Sequence, residues 1–274
     1  MEKYIPSLVK EDLYKILVPK LAILDENMTE VRQRMTSLSP DEWKNLHDYL
    51  LVRDTQATLG MEGIPLDLAE VSVQYSTAFV NGIPPESRKA MEGMFAAINL
   101  ITRKAERGAE LNLELLLDTH MLVYHRINFE KAGKLRDGYV QRAGSTLSFC
   151  GPGDVKAHIE GVFNRIKNSQ DHPVIKAAFT GYAVFRVHPF FDGNSRTSRL
   201  LQNMVLTKNG YMQAHVPEIM AVQFEKQREA AAHGKPEGYY RLIFDLVTRE
   251  LKMARNFLGM PPFEQKNNEQ TYLR

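Results

Sequence analysis

The sequence has very little that would support disulfide bonding or membrane insertion. Cys150 is the only cysteine among 274 residues, which excludes an intramolecular disulfide and indicates a reducing compartment. No apolar run is long enough to cross a bilayer, and the N-terminal residues lack the pattern of a secretory signal. We therefore expect a cytoplasmic protein without a membrane partner.

An excess of charge is also missing. The 35 Lys and Arg residues nearly balance the 33 Asp and Glu residues, which gives a formal net charge of +2. Such a balance leaves no clear electrostatic footprint for nucleic acid. The charged fraction of 25% and the apolar fraction of 43% are those of an ordinary globular protein. The length suits one large domain or a core with an appended helical bundle.

The reactive side chains concentrate in residues 188–199, with the sequence HPFFDGNSRTSR. The preceding residues 173–187 are apolar almost throughout, which predicts a buried helix. Pro189 should stop that helix. Residues 192–194, Asp-Gly-Asn, form a turn signature, and a second helix should begin near Asn194.

The start of that second helix is a predicted anion site. Its first amides lack intrahelical partners, and the helix dipole adds positive charge at the same end. Arg196 and Arg199 are three residues apart and share a face there, where their guanidinium groups suit phosphate oxygens. Asp192 could hold Mg²⁺ while phosphates complete its coordination. His188 has a side chain with an ordinary pKa of about 6.5, which fits a general base.

The same segment resembles the signature of the Fic (filamentation induced by cyclic AMP) family, His-x-Phe-x-Asp/Glu-Gly-Asn-Gly-Arg-x-x-Arg. The positions that match are His188, Phe190, Asp192, Gly193, Asn194, Arg196 and Arg199.

One position departs from the signature, because Ser195 stands where the family usually has glycine. The family's anion hole uses backbone amides around this position. Serine keeps the amide, restricts φ and adds a hydroxyl. The resemblance implies a site in which His188 is the base and Asp192 holds Mg²⁺. It also implies that ATP phosphates bind to Gly193, Asn194, Ser195, Arg196 and Arg199.

A second motif, Thr58-Leu-Gly-Met-Glu62-Gly63, lies far upstream. Taken alone, a glutamate before a glycine is usually only a helix end. Beside the signature it resembles the family's inhibitory motif, Ser/Thr-x-x-x-Glu-Gly/Asn. The resemblance implies that Glu62 pairs with Arg199 and occupies the space of the ATP γ-phosphate. This is physically reasonable, because carboxylate and phosphate compete for the same guanidinium group.

Residues 133–153 carry the only β-like pattern of the chain. Val140, Leu147 and Phe149 are strand formers on either side of a turn at residues 144–145. The pattern predicts a hairpin and resembles the family's flap, which positions a target peptide by β-augmentation.

Two aromatic residues further on, Tyr239 and Tyr240, resemble a segment near the family's adenine pocket. Packing in the hydrophobic core is the alternative for both. The predicted fold class is all-α: a Fic-type helical bundle with one β-hairpin flap and an N-terminal helical extension. The predicted divisions are an extension (1–57), the inhibitory motif with linking helices (58–112), a Fic core (113–258) and a C-terminal tail (259–274).

The resemblance implies a protein adenylyltransferase that transfers AMP from ATP to a Ser, Thr or Tyr hydroxyl of a target protein and is autoinhibited by Glu62. Two alternatives stay open. Glu62 could instead orient a water that removes AMP from modified targets, or the chain could be a catalytically silent Fic-fold binding module. The resemblance also implies a homodimer. It favours a cytoplasmic location, with a secreted bacterial effector as the alternative.

Overall fold

The computed structural model describes residues 8–9, 11–77 and 82–263 of the chain. Within these ranges the regular structure is helical, and no β-strand is formed. The predicted all-α fold class is therefore confirmed. The ten α-helices of the described residues are α1 (Glu11–Met35), α2 (Pro40–Gly60), α3 (Leu68–Thr77), α4 (Pro85–Glu106), α5 (Leu113–Tyr124), α6 (Val155–Asn168), α7 (Pro173–Val187), α8 (Asn194–Lys208), α9 (Ala221–Ala232) and α10 (Glu237–Phe257).

Local sequence signals explain where several of these helices begin. Ser39 and Glu42 form a capping box at the start of α2: the Ser39 hydroxyl accepts from the Glu42 amide at 3.3 Å, and the Glu42 carboxylate accepts from the Ser39 amide at 2.7 Å. The Asn112 side chain caps α5 by accepting from the Leu115 amide at 2.8 Å. These caps fix the N-terminal ends of α2 and α5, two helices that contribute residues to the site described below.

Helix α7 is the centre of the hydrophobic core. Its residues from Val174 to Val187 are buried apart from Lys176, as the continuous apolar pattern predicts. Helix α8 packs along α7, and α6, α9 and α10 pack on its other sides. Helix α4 packs on α5 and α8, while α2 lies against α4 and α1 against α10. The loop between α7 and α8 therefore emerges directly from the hydrophobic core.

The segment between α5 and α6 departs from the predicted β-hairpin. Its turn is present, since Gly144 has a φ of 72° and the Ser145 amide donates to the Arg142 carbonyl at 3.2 Å. In the described residues its two arms form no strand ladder, so the strand prediction was wrong. The apolar side chains of Leu147 and Phe149 pack on α7 instead, and helices α7 and α9 hold the arms by side-chain contacts.

Both ends of the chain are described only in part. Residues 1–7 and 10 of the predicted extension lie outside the described residues, as do residues 264–274 of the predicted tail. The boundaries between the four predicted divisions remain predictions. Among the helices that the structure describes, none has both the length and the apolar character needed to cross a bilayer.

Candidate active site

His188 is the first residue after α7 and has an unusual backbone conformation. Its φ of 54° makes it the only residue other than glycine with a positive φ in the described ranges. Strained backbone of this kind persists only where the surroundings fix it. Arg136, at the start of the flap segment, supplies that support: its Nε donates to the His188 carbonyl at 2.7 Å, and its amide donates to the Pro189 carbonyl at 2.9 Å.

The imidazole of His188 is held as a neutral ring. It stacks on Phe149 with 4.1 Å between ring centroids. Burial lowers the pKa of His188 to about 4, and the guanidinium groups of Arg136 and Arg228 act in the same direction. Nδ1 lies 3.3 Å from the Phe185 carbonyl; a carbonyl can only accept, so the proton is on Nδ1. This assignment leaves the lone pair on Nε2 available to accept a proton.

Asn194 closes the loop that links α7 to α8. Its Oδ1 accepts from the Phe190 amide and its Nδ2 donates to the Phe190 carbonyl, both at 2.9 Å. The buried Asn194 side chain thus satisfies both backbone groups of Phe190 and fixes the conformation of the loop.

The conformation of Gly193 is fixed by a close neighbour, His120 of α5. Gly193 has a φ of 74°, and a Cβ at this position would lie 3.0 Å from His120 Nε2. His120 stacks on Phe190 at 3.6 Å. It also bonds the Asp192 carbonyl through Nε2 at 3.1 Å and accepts from the Gly133 amide through Nδ1 at 3.0 Å. His120 of α5 therefore holds the loop in place, although no motif in the sequence identifies this residue.

Asp192 projects outward from this loop. Its side chain is 60% exposed and lies 3.8 Å from an Arg196 nitrogen. The Gly193 amide donates to Asp192 Oδ1 at 2.6 Å. The carboxylate is accessible at the N-terminus of α8.

Arg196 and Arg199 lie on the first turns of α8, and both are buried. Glu62 meets the two guanidinium groups: its Oε1 is 3.0 Å from Arg199 Nη2, and its Oε2 is 3.6 Å from Arg196 Nε. The contact between Glu62 and Arg199 that the resemblance implied is present. Burial alone would raise the pKa of Glu62, but Arg199 and Arg196 outweigh it and hold that pKa below its ordinary value. Glu62 is therefore an anion in this position.

The backbone of residues 58–64 positions Glu62. Helix α2 ends at Gly60, and Gly63 has a φ of 75° that turns the chain. The Ile64 amide then donates back to the Leu59 carbonyl at 3.0 Å. Arg199 Nη2 also donates to the Thr58 carbonyl at 3.3 Å. The Thr58 carbonyl and the Glu62 carboxylate thus share one guanidinium group.

Arg228 of α9 is a further member of the site, and no motif predicts it. It is 1% exposed, and its guanidinium carbon lies 3.9 Å from the centre of the Phe185 ring. Its Nη2 pairs with Glu225 at 2.5 Å and its Nη1 donates to Ser195 Oγ at 3.1 Å. The same Ser195 oxygen accepts from Arg199 Nη1 at 2.5 Å. The Ser195 hydroxyl therefore joins two arginines.

Tyr239 and Tyr240 lie in the core and not on an accessible pocket. They are 0% and 1% exposed. The Tyr239 hydroxyl donates to Gln202 Oε1 at 2.8 Å, and the Tyr240 hydroxyl lies 3.4 Å from that of Tyr182. Both residues therefore pack in the hydrophobic core, which was the alternative to a place near an adenine pocket.

The three predicted flap residues pack next to the loop between α7 and α8. Leu147 and Phe149 are buried against Phe185 of α7, and half-buried Val140 packs on the same cluster. Phe149 also contacts His188, as described above. The flap segment thus lies within contact distance of the candidate base.

The structure is an all-α fold in which two buried arginines lie on the first turns of α8, a neutral histidine follows α7, and a glutamate pairs with the two arginines. Residues 110–206 match the Fic/DOC family, and this match contains α5, α6, α7 and most of α8. This part of the chain is therefore similar to Fic domains.

Individual relatives agree with this result. "Protein adenylyltransferase Fic" of Drosophila ananassae is 28% identical over 200 residues, which are 72% of this chain and 40% of that protein. The chain thus spans about two fifths of the length of such relatives.

Solved structures show the same fold. A Fic domain containing signaling protein from Bacteroides thetaiotaomicron gives a TM-score of 0.74 at 17% identity, over 86% of this chain and 99% of that one. Fic-1 from C. elegans gives a TM-score of 0.75 at 18% identity, over 88% and 73% of the two chains.

Proposed function

We propose that the protein is an adenylyltransferase that transfers AMP from ATP to a hydroxyl group of a target protein. One observation carries this proposal: two buried arginines at the N-terminus of α8, a neutral His188 and an accessible Asp192 are all presented by the α7–α8 junction. Relatives of similar sequence carry the name protein adenylyltransferase. The arginines suit a polyphosphate, and the imidazole suits deprotonation of a hydroxyl.

In the proposed reaction, His188 accepts the proton of the target hydroxyl at Nε2. The target oxygen attacks the α-phosphorus of ATP in line, and a new phosphorus–oxygen bond forms. The bond from that phosphorus to the oxygen that bridges to the β-phosphate breaks, and pyrophosphate leaves with the bonding electrons. Arg196 and Arg199 neutralise charge on the polyphosphate as it develops. The helix N-terminus contributes backbone amides to the same anion.

The residues present fit a magnesium ion that is bound mainly by substrate. Mg²⁺ in nucleotide sites is typically held by one or two carboxylates, with phosphates and water completing the shell. Asp192 supplies one accessible carboxylate, and the described residues contain no cluster of three or more potential protein ligands. When bound, Mg²⁺ would neutralise phosphate oxygens and fix their orientation. Asp192 is the residue that we propose as its protein ligand.

Glu62 is proposed to inhibit this reaction by occupying the guanidinium groups that the terminal phosphates need. Its carboxylate lies 3.0 Å from Arg199 and 3.6 Å from Arg196. A charge-assisted hydrogen bond contributes about 1.5–3 kcal/mol. This corresponds to roughly one to two decades in ATP affinity.

The reverse activity is the second candidate function. Glu62 is a carboxylate inside the site and is held there by two arginines. Such a group could orient a water molecule toward the phosphorus of an AMP-modified target. Replacement of Glu62 by glycine separates the two functions, because inhibition predicts more transfer and hydrolysis predicts lost removal of AMP.

The proposal extends to partners and location. The target would lie against the flap segment, whose Leu147 and Phe149 pack beside the catalytic loop. We propose a homodimer in the cytoplasm, with secretion as a bacterial effector as the alternative location; light scattering of the purified chain tests the oligomeric state. The single cysteine is a free, buried thiol, which agrees with a reducing compartment.

Intact mass after incubation with ATP and Mg²⁺ tests the proposed transfer. Glu62→Gly is expected to gain one or more AMP increments by self-modification, and wild type is expected to gain far less. Glu62→Gly combined with His188→Ala should gain none. A phosphate increment in place of an AMP increment would contradict adenylyl transfer. A silent binding module would show neither increment, with or without an added target protein.

A further inference from the structure

We infer that Ser195 is a positioning residue for Arg199, and that its hydroxyl stabilises the inhibited arrangement in which Arg199 pairs with Glu62. This inference rests on the proposed function, because it concerns control of the same site. It also assigns an effect to the one departure from the family signature. A glycine at this position would lack the hydroxyl that accepts from Arg199 and Arg228.

The first step of the inference concerns how Arg199 is held. Three acceptors surround its guanidinium group: Ser195 Oγ at 2.5 Å, the Thr58 carbonyl at 3.3 Å and Glu62 Oε1 at 3.0 Å. The contact with Ser195 uses Nη1, whereas the contacts with the inhibitory motif use Nη2. Ser195 therefore binds one edge of the guanidinium group, and the other edge is directed at Glu62.

The second step concerns the anchor behind Ser195. Arg228 is almost completely buried, lies over the Phe185 ring and is paired with Glu225. These contacts fix the position of its Nη1, which donates to the Ser195 oxygen at 3.1 Å. The hydroxyl is thus held from α9 while it holds Arg199.

The third step concerns charge. A serine oxygen has two lone pairs, and here two guanidinium groups use them. This shared acceptor allows two cations to lie side by side in a buried region, where unpaired donors are costly. Without the hydroxyl, Arg199 and Arg228 would face each other with no acceptor between them. Arg199 would then be free to leave the orientation that meets Glu62.

The inference is tested by measuring the affinity for MgATP by calorimetry, with each Ser195 variant made both in the wild-type chain and in the Glu62→Gly chain. Ser195→Ala in the wild-type chain is expected to tighten ATP binding about threefold to tenfold, which is the net effect of one ordinary hydrogen bond. In the Glu62→Gly background the same change should not tighten it, since no inhibited pair remains to be weakened. Ser195→Thr keeps the hydroxyl and should match wild type.

Ser198 offers a matched control. It lies in the same turn of α8, and its hydroxyl bonds only to the Ser195 carbonyl. Ser198→Ala should therefore leave ATP affinity within about twofold of wild type. If Ser195→Ala weakens ATP binding in both backgrounds, the hydroxyl is a phosphate ligand and the inference is overturned. Equal affinity in all Ser195 variants would also overturn it.

A second measurement without nucleotide separates this inference from the proposed function. Hydrogen exchange of the backbone amides of residues 58–64 should become faster in Ser195→Ala and stay unchanged in Ser198→Ala. If exchange is faster in Ser195→Ala but the Glu62→Gly variant binds no ATP, the role of Ser195 is retained and the proposed function is refuted. Unchanged exchange would refute the role of Ser195 whatever the nucleotide does.

Discussion

Arg53 of α2 forms a bidentate salt bridge with Glu250 of α10, with nitrogen–oxygen distances of 2.7 and 3.2 Å. Glu250 also lies 3.1 Å from His215 Nδ1, and His215 Nε2 lies 3.7 Å from Asp54. His215, Asp54 and Glu250 are all buried. This cluster connects α2, which precedes Glu62 in the sequence, to α10. Helix α2 is therefore held in place by contacts that do not involve Glu62 itself.

Replacement of Glu250 by glutamine should destabilise the protein strongly. The change removes the carboxylate shared by Arg53 and His215 and leaves a buried imidazolium and a partly buried guanidinium group short of a partner. Breaking a buried ion pair by removing one partner typically costs about 3–5 kcal/mol. Urea denaturation would measure the free energy of unfolding. Asp245→Asn removes a carboxylate from the exposed face of the same helix and should change that free energy by less than about 0.5 kcal/mol.

The same cluster predicts how stability depends on pH. Burial alone would raise the pKa of Glu250, but its bonds to His215 and Arg53 lower it to about 2. An unfolded glutamate has a pKa of about 4.3, so the unfolded chain binds the proton more readily. The stability that Glu250 contributes is therefore fully present above about pH 4.5 and is lost as the pH falls toward 2. The difference in unfolding free energy between wild type and Glu250→Gln should shrink over that window.

His215 adds a limit on the alkaline side. Burial lowers its pKa, but Asp54 and Glu250 outweigh burial, and the net pKa is raised above the ordinary 6.5. A raised pKa contributes stability below the unfolded value, and this contribution disappears as the pH rises through the folded value. In wild type, stability should thus decline above about pH 6.5. His215→Asn should remove this decline; if the decline is the same in both chains, His215 is not its cause.

Asn194 predicts a coupled loss of activity and stability. Its side chain satisfies both the amide and the carbonyl of buried Phe190. Asn194→Ala leaves both groups without that partner, at about 1–3 kcal/mol for each buried group. We expect a lower unfolding free energy and slower AMP transfer in the Glu62→Gly background. Asn194→Asp keeps the acceptor for the Phe190 amide and should lose less stability than alanine; equal losses would contradict this role.

Local patterns in the sequence predict the parts of the site that are adjacent along the chain. The α7–loop–α8 arrangement follows from apolar periodicity, Pro189 and the turn at residues 192–194, and the structure contains it. Arg228 and His120 could not be found this way. Each reaches the loop across a long sequence separation, and each sits on an ordinary helix with no pattern that distinguishes it from a core or surface residue.

The flap shows a different limit of sequence reasoning. Val140, Leu147 and Phe149 have strand propensity, but propensity here reflects a fit to a half-buried surface and not an obligatory ladder. The structure provides that surface through Phe185 of α7, so the side chains pack without strand pairing. Tyr239 was equally ambiguous, because a buried aromatic residue and an aromatic pocket residue look alike in sequence.

The most direct test of the account is the affinity of MgATP for wild type, Glu62→Gln and Glu62→Gly, measured by calorimetry at one ionic strength. Glutamine keeps the size of the side chain and removes the charge that meets Arg199. We predict binding about ten- to a hundredfold tighter in both variants than in wild type. Equal affinity in all three chains would show that Glu62 and the nucleotide do not compete for Arg199, and would contradict the account.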